Sequence, residues 1–306
     1  MKKLILVLTL LSFIQFTFAQ KQKLGFNLVI GESYTLSQQS RTKITQQING
    51  QKINTDMTVG CRNIFIVTGL KDSIYSMSVL YKELSFTVKS PNGEKTFISE
   101  GKDTNDVVST ILSSMKDKPF NIRMTKAGKI IEVQNLDNIF SHLFDRFPQI
   151  DSIKKAQLKA QLMQSYGEKA FKGSFEMITA IYANVPVSPG NTWTTKTKLA
   201  SGMDADVVTT YEYKEKADNY NLIKGSGNLL TIDHDKYMMV NGMPIKYSIK
   251  GSVNTSIKVD NKTGWVVESA MTEKLSGTAE IKDNPKIPGG LTIPMSIDIE
   301  TNFGSN

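Results

Sequence analysis

The two histidines are the first residues to consider for chemistry, because histidine titrates near neutral pH and is a common metal ligand. His142 lies three residues before Asp145, on the polar side of a predicted helix, so the two form either a catalytic pair or part of a solvated face, and we favour the solvated face. His234 lies between Asp233 and Asp235. In a strand the aspartates would point away from the histidine, whereas in a turn all three could bind a cation such as calcium, so a metal site there stays open.

The motifs of several enzyme classes do not occur in the sequence. There is no Gly-x-Ser-x-Gly elbow, no His-Glu-x-x-His pair, no Gly-x-x-x-x-Gly-Lys phosphate loop and no Gly-x-Gly-x-x-Gly fingerprint. We therefore predict a protein that is not an enzyme and has no cofactor. A hydrolase that uses two carboxylates from distant parts of the chain is the remaining enzymatic alternative.

The N-terminus has the pattern of an export signal. Lys2 and Lys3 precede an apolar run that ends in Thr17-Phe18-Ala19, with small residues at the −3 and −1 positions, so we expect cleavage after Ala19. The only cysteine, Cys61, is far from that point, which predicts an exported protein, periplasmic or extracellular, that is not a lipoprotein. No later segment is apolar enough to cross a membrane, so we expect no membrane span after signal cleavage.

The charge pattern argues against nucleic-acid binding. Loss of Lys2 and Lys3 with the signal lowers the formal net charge from +8 to +6, and the remaining lysines are dispersed along the chain. Proteins that bind nucleic acid group basic and aromatic residues on one surface. We predict no nucleic-acid partner.

The stretch from Asn135 to Tyr182 is the only long run whose apolar residues recur with a helical period. A first helix is predicted to begin at Asn135 as N-cap and to end at Pro148, with this stripe: Leu136, Ile139, Phe140, Leu143, Phe144 and Phe147. A second, between a cap at Asp151 and an end at Gly167, has Leu158, Leu162 and Tyr166 on one face. A third has Phe171, Phe175, Ile178 and Tyr182. These stripes need an apolar surface to cover them, and the flanking strands are the candidate.

Both flanks are predicted to be antiparallel β-structure. Apolar and polar residues alternate, and turn signals such as Asn49-Gly50 separate the runs. Two motifs recur: Gly31-Glu32-Ser33-Tyr34-Thr35 resembles Gly190-Asn191-Thr192-Trp193-Thr194, and the turn at Gly128 resembles that at Gly264. We interpret the recurrence as an internal duplication, with chance similarity of β-turns as the alternative.

These motifs resemble an uncharacterised family of exported bacterial proteins, catalogued as domain of unknown function 6263. The resemblance rests on the Gly-x-x-aromatic-Thr pattern at Gly31 and Gly190, and on Asp260-x-x-Thr263-Gly264 before an apolar strand. It extends over nearly the whole mature chain. It implies no activity, ligand or catalytic residue.

The sequence as a whole predicts an α+β fold. Residues 20–306 are predicted to form one domain with an extended, twisted antiparallel sheet, which could curve into a half-barrel. The sheet is made of two similar meander halves (about 24–134 and 185–306), and helices 135–182 pack on one face. Because apolar helical surface is abundant and catalytic motifs are missing, our leading hypothesis is an envelope protein that binds a lipid or another apolar or amphipathic molecule between sheet and helices. Its predicted lining is Phe140, Phe144, Phe171, Phe175, Trp193 and Trp265. The alternative is a structural or interaction module with an envelope protein as partner.

Overall fold

The computed structural model describes residues 21–101, 106–200, 203–232, 236–240 and 242–305. The predicted export signal and the Asp233-His234-Asp235 segment lie outside these residues. Within them, thirteen strands form one antiparallel sheet. Their bounds are β1 Ser33–Ile48, β2 Gln51–Lys71, β3 Ile74–Ser90, β4 Gly93–Ile98, β5 Phe120–Thr125, β6 Ile130–Gln134, β7 Thr192–Ala200, β8 Asp204–Lys216, β9 Tyr220–Thr231, β10 Met238–Val240, β11 Met243–Asp260, β12 Val266–Ile281 and β13 Leu291–Gly304.

The strand order places the second half of the chain beside the first. It runs β7-β8-β9-β11-β12-β13-β1-β2-β3-β5-β6, with β10 added to β11 and β4 to β3. Each half is thus a meander, and β13 joins them by pairing with β1 from Ser37↔Gly304 to Gln46↔Met295. This is the predicted extended sheet. Proline usually lies at a sheet edge, yet Pro294 lies in a central strand, one residue past the last pair with β1, where its missing N–H costs no bond to that strand.

The recurring glycine turns adopt the same conformation in the two halves. Gly31 and Gly190 both have φ of 89°, a left-handed value that only glycine adopts at low cost. Gly31 N–H donates to Val67 O at 2.8 Å, and Gly190 N–H donates to Tyr213 O at 2.7 Å. The returning N–H groups of Val67 and Tyr213 donate to the residue after each glycine, both at 3.0 Å. The sequence similarity of the two turns is therefore matched by their geometry.

The helices are α1 Val107–Met115, α2 Leu136–Ser141, α3 Ser152–Tyr166 and α4 Glu168–Thr179. The first helix of the central segment is shorter than predicted, because beyond Ser141 the backbone bonds run three residues back and not four: Asp145 N–H donates to His142 O at 3.5 Å and Phe147 N–H to Phe144 O at 2.9 Å. Residues beyond Ser141 continue as tight turns, yet Leu143 and Phe147 stay buried. Asn135 is not a side-chain cap: its φ is 65° and its side chain makes no cap hydrogen bond.

The boundaries of α3 and the start of α4 agree more closely with the sequence prediction. The Asp151 side chain accepts from Lys154 N–H at 2.9 Å, and Gly167 ends α3 and begins α4. However, α3 lies mostly in solvent, with Ile153 71% exposed, and its packing is mainly against α4. Its Tyr166 end is anchored by Tyr81 of β3, whose hydroxyl donates to Tyr166 O at 3.2 Å.

Helix α4 connects the two end strands of the sheet. It packs on β7, and its buried Glu176 accepts a hydrogen bond from Ile130 N–H of β6 at 2.7 Å. Since β6 and β7 are the outermost strands in the sheet order, the sheet curls around α4. We call the face that carries the core the inner face.

The segment before β1 joins the two halves at one end of this core. Phe26 N–H donates to Lys126 O and Asn27 N–H donates to Thr263 O, both at 2.8 Å. These two acceptors lie in the equivalent turns of the first and second halves. The main core is therefore filled by α2, α4 and this segment, between both halves of the sheet.

Candidate functional site

Three of the six predicted lining residues lie together in an aromatic cluster. The Phe175 ring stacks on Phe65 at 4.8 Å between centroids, and Trp265 contacts Phe65 at 5.2 Å. Phe171 contacts Phe120 at 5.0 Å and Phe175 at 5.6 Å. All of these rings are buried, and Trp265 Nε1–H donates to Thr35 O at 2.9 Å. The space between α4 and the sheet is therefore occupied by their own side chains.

The other three predicted residues lie elsewhere. Phe140 is buried on α2, and Phe144 is half-buried in the turn that follows. Trp193 is half-buried on β7, where it stacks on Tyr211 at 6.1 Å and donates Nε1–H to Ile181 O at 2.8 Å. The six residues do not form one surface in the described part of the chain. Their role as a lining stays a prediction.

A different apolar surface lies on the inner face beyond α4, where β1, β2 and β3 extend past the main core. Its side chains are half-buried, and apart from Ile44 none belongs to a core cluster or to the side chains packed against one. We call it the apolar strip: Ile44, Ile53, Met57, Val59, Phe86 and Val88. The strand register places these residues on one face, since Val59 pairs with Phe86 and Met57 with Val88. A half-buried apolar strip of this kind is a surface that a ligand can cover.

Helix α3 stands on the same side of the sheet as the strip. Its C-terminal end is held at β3 by Tyr81, and its Gln157 amide lies beside Gly242, in the turn between β10 and β11. The helix therefore crosses from the first half of the sheet to the second. Its half-buried Leu158 and Leu162 are the apolar residues of this crossing.

The opposite face of the sheet is polar at its centre, on β1 and β13. In β1 and β13 the residues that alternate with the inner side chains are polar apart from Pro294: Gln39, Arg41, Lys43, Thr45, Gln47, Thr292, Ser296, Asp298, Glu300 and Asn302. This alternation indicates a solvated face.

Glu273 of β12 is an acidic residue placed on the inner face. Its side chain is 6% exposed, and its Oε2 makes no hydrogen bond with any residue the structure describes. Thr255 Oγ1 of β11 and Ser269 Oγ of β12 are likewise buried without a partner in the described residues. Thr255 pairs with Met271, and Ser269 and Glu273 flank Met271 on the same face, so Thr255 is a diagonal neighbour of each of them, while Ser269 and Glu273 lie four residues apart on β12.

Burial raises the pKa of Glu273 from its ordinary value of 4.5 to about 7. The folded protein thus holds this proton more tightly than the unfolded chain does. Below pH 4.5 both states are protonated and the group has no effect, and between pH 4.5 and 7 the folded state loses stability as pH rises. We expect Glu273→Gln to remove this loss, so that its free energy of unfolding relative to wild type rises by about 3 kcal/mol between pH 4.5 and 8.

Urea unfolding of both proteins at the two pH values measures this difference. Glu300→Gln, on the exposed face of neighbouring β13, is the control and should show no such change. Parallel pH profiles for wild type and Glu273→Gln would show that Glu273 titrates normally.

An open cleft of about 370 Å³ lies at the β12–β13 connection and contains two carboxylates, Glu280 and Asp283. Glu280 accepts a hydrogen bond from Tyr237 and pairs with Lys246 at 2.9 Å. The Tyr237 hydrogen bond, the largest cause, and Lys246 lower its pKa. Asp283 Oδ1 accepts from Gly289 N–H of its own loop at 2.9 Å. Because a carboxylate-pair hydrolase needs one acid that stays protonated, Glu280 does not suit that role.

The remaining reactive side chains are accounted for by ordinary contacts. His142 Nδ1 lies 2.9 Å from Asp145 Oδ2, and both side chains are largely exposed, in agreement with a solvated face. Burial raises the pKa of the Cys61 thiol to about 12, so it is not a nucleophile near neutral pH. Among the described residues, no three His, Cys, Asp or Glu side chains come together as a metal site.

The fold and the inner face define an open antiparallel sheet curled around one helix, with an apolar strip left uncovered. A family model matches residues 72–266, described as a family of unknown function, DUF6263. The chain belongs to this family. The match includes the Gly190 and Gly264 motifs but not Gly31. No curated protein matches the chain.

Three solved structures illustrate the range of similar folds. A lipovitellin structure, described by its lipid–protein interactions, has 10% identity and a TM-score of 0.47 over 92% of this chain and 25% of that one. This chain thus spans a quarter of its length. An outer membrane channel from Pseudomonas putida F1 has 7% identity and a TM-score of 0.27, over 90% and 97% of the two chains. A protein with a YmcC-like fold from Bacteroides fragilis has 12% identity and a TM-score of 0.22, over 91% of this chain and 98% of that one.

None of the described helices is both long and apolar enough to pass through a lipid bilayer.

Proposed function

We propose that this protein is a non-catalytic binding protein of the bacterial envelope that holds an apolar or amphipathic ligand against the apolar strip. The observation that carries the proposal is the strip itself, which is half-buried on the inner face, with five of its six side chains outside the core. Covering such side chains removes apolar area from water and favours binding by roughly 25 cal/mol per Å². The export pattern of residues 1–19 supports the envelope as its location.

The position of α3 supports a ligand between helix and sheet. The helix crosses the inner side from β3 to the β10–β11 turn, and it is mostly exposed to solvent. A helix with so little packing can shift at small cost to admit a ligand. An elongated apolar molecule would lie on the strip beneath Leu158 and Leu162 and cover both surfaces.

The interaction-module alternative has less support. A protein that binds partners through its sheet would present an apolar patch on the outer face. The outer residues of β1 and β13 are polar, and α4 contacts both end strands.

Native mass spectrometry of the purified mature chain, with organic extraction of whatever accompanies it, tests the proposal. We expect an apolar or amphipathic molecule in one-to-one proportion with the protein. A chain that carries nothing and does not bind the apolar fluorophore N-phenylnaphthylamine would contradict it.

A charge placed in the strip should abolish binding of this fluorophore. Val59→Glu introduces a carboxylate on the inner face, and a ligand covering it would have to bury that charge, so we expect at least a tenfold loss of affinity. Thr58→Glu is the matched control, because it adds the same charge one residue away on the outer face of β2. Fluorescence titration measures both, with circular dichroism to confirm folding. Equal affinity of the two variants would place the binding site elsewhere.

A further inference from the structure

Buried polar groups on the same inner face as the apolar strip indicate the chemistry of the ligand. Glu273 Oε2, Thr255 Oγ1 and Ser269 Oγ have no partner among the residues the structure describes, and all three side chains are less than 8% exposed. An unpaired polar group in the interior costs roughly 1 to 3 kcal/mol, and more if it is charged. Glu273 and Thr255, diagonal neighbours on β12 and β11, both carry that cost.

Neighbouring polar groups on the same face do have partners. Thr301 of β13 also pairs with Met271, from the other side, and its hydroxyl lies 2.9 Å from Ser40 Oγ. Besides the three groups on β11 and β12, the buried side-chain atoms without a partner among the described residues are Arg62 Nε of β2, Asp206 Oδ1 of β8 and Asn261 Oδ1. Among the described residues, burial alone accounts for the raised pKa of Glu273, with no contribution from a charged side chain.

The strand register connects this polar group to the strip. Glu273 pairs with Ile299 of β13, which pairs with Thr42 of β1, which pairs with Met57 of β2. These four paired residues form a row across the inner face, from the Glu273 carboxyl group to Met57 in the apolar strip. Three strand spacings separate its ends, about 14 Å along the sheet. This row is apolar at Ile299 and Met57 and has one small polar residue, Thr42, between them.

We propose that the ligand is an amphipathic molecule whose polar end carries a hydrogen-bond donor, a hydroxyl or an ammonium group, bound at Glu273 and Thr255, with its apolar chain along the row to Met57. This inference rests on the proposed function and adds the class of ligand and its orientation. A donor at this position would satisfy Glu273 Oε2, and the Thr255 hydroxyl can donate or accept as the ligand requires. A carboxylate end would meet Glu273 with repulsion and without a donor of its own.

Displacement of N-phenylnaphthylamine by amphiphiles of equal chain length tests this assignment. At pH 8 we expect dodecylamine and dodecanol to displace the fluorophore from wild-type protein at concentrations about tenfold or more below that of dodecanoate, since a hydrogen bond to a charged group contributes roughly 1.5 to 3 kcal/mol. In Glu273→Gln the preference for the amine over the carboxylate should fall below about threefold. Glu300→Gln, the exposed control, should keep the wild-type preference.

The outcomes separate the two proposals. If the fluorophore binds but the three amphiphiles compete equally, or if the amine preference persists in Glu273→Gln, the polar site is wrong and the apolar strip remains the binding surface. Buried water alone would then be the partner of Glu273. If the fluorophore does not bind to wild-type protein, both proposals fail. Glu273→Leu provides a second variant, which should bind the fluorophore and lose the preference in the same way.

Discussion

Replacing Gly128 with alanine should lower the free energy of unfolding by about 3 to 4 kcal/mol. Gly128 has φ of 85°, where an L-residue costs roughly 1 to 2 kcal/mol. An added Cβ would also lie 1.8 Å from the Thr179 carbonyl oxygen, at the end of α4. Relief of that clash means moving α4 away from the turn, and overpacking of this kind typically costs 1 to 3 kcal/mol. Chemical denaturation measures the change.

Gly190→Ala is the matched control for this prediction. Gly190 also has φ of 89°, but apart from its two chain neighbours no atom of the described residues lies within 4 Å of the position its Cβ would take. Its loss should therefore be the conformational part alone, about 1 to 2 kcal/mol. Equal losses in the two variants would show that the contact between this turn and α4 is not made.

Trp265→Ala is expected to cost about 4 kcal/mol. The ring is 5% exposed and contacts Phe26, Tyr34, Phe65 and Phe175. Removal of a large buried aromatic leaves a cavity that rigid neighbours cannot fill, and such changes typically cost 3 to 5 kcal/mol. Thermal or urea unfolding of the variant measures the loss.

Comparing Trp193→Ala with Trp265→Ala separates the stability lost with buried packing from the stability lost with the indole hydrogen bond. Both indoles donate to a backbone carbonyl, Trp265 to Thr35 at 2.9 Å and Trp193 to Ile181 at 2.8 Å, so both variants lose the same kind of bond. Trp193 is only half-buried, and we expect a cost of about 2 kcal/mol. A cost for Trp193→Ala that matched that of Trp265→Ala would contradict a core centred on Trp265.

Much of the sheet could be predicted from the sequence because its signals are local. Asn49-Gly50 adopts φ values of 51° and 78°, as a tight hairpin requires, and the glycines at 31 and 190 have the left-handed conformation expected of their shared motif. Turn chemistry of this kind depends on one or two residues and not on the surface that later covers them. The family assignment is confirmed by the family-model match over residues 72–266.

The packing of the helices could not be predicted from the sequence. Leu158 and Leu162 have the same spacing as Phe171 and Phe175, yet α4 is enclosed by the sheet and α3 is mostly exposed. Periodicity identifies an apolar face but not the surface that covers it. Likewise the predicted end of the first central helix at Pro148 is wrong, since the helix ends at Ser141 and the backbone bonds that follow it are three-residue turns.

The apolar strip and Glu273 were missed, although the sequence contains a signal for each. Ile53, Met57 and Val59 alternate with polar residues along β2. Glu273 is two residues from both Met271 and Leu275, so the alternation of β12 places all three side chains on one face. Alternation assigns Glu273 to the inner face together with its apolar neighbours. Which part of that face stays uncovered depends on where α4 ends, and that is a property of the tertiary structure.

Methyl NMR of the mature protein, carrying ¹³C-labelled methionine methyl groups, tests the central claim most directly. On addition of dodecylamine, we expect the resonances of Met57 and Met295, half-buried on the inner face, to shift. Those of Met124, which is fully buried, and Met239, which is 63% exposed, should stay in place. Shifts confined to Met239, or none at all under saturating ligand, would contradict binding at the apolar strip.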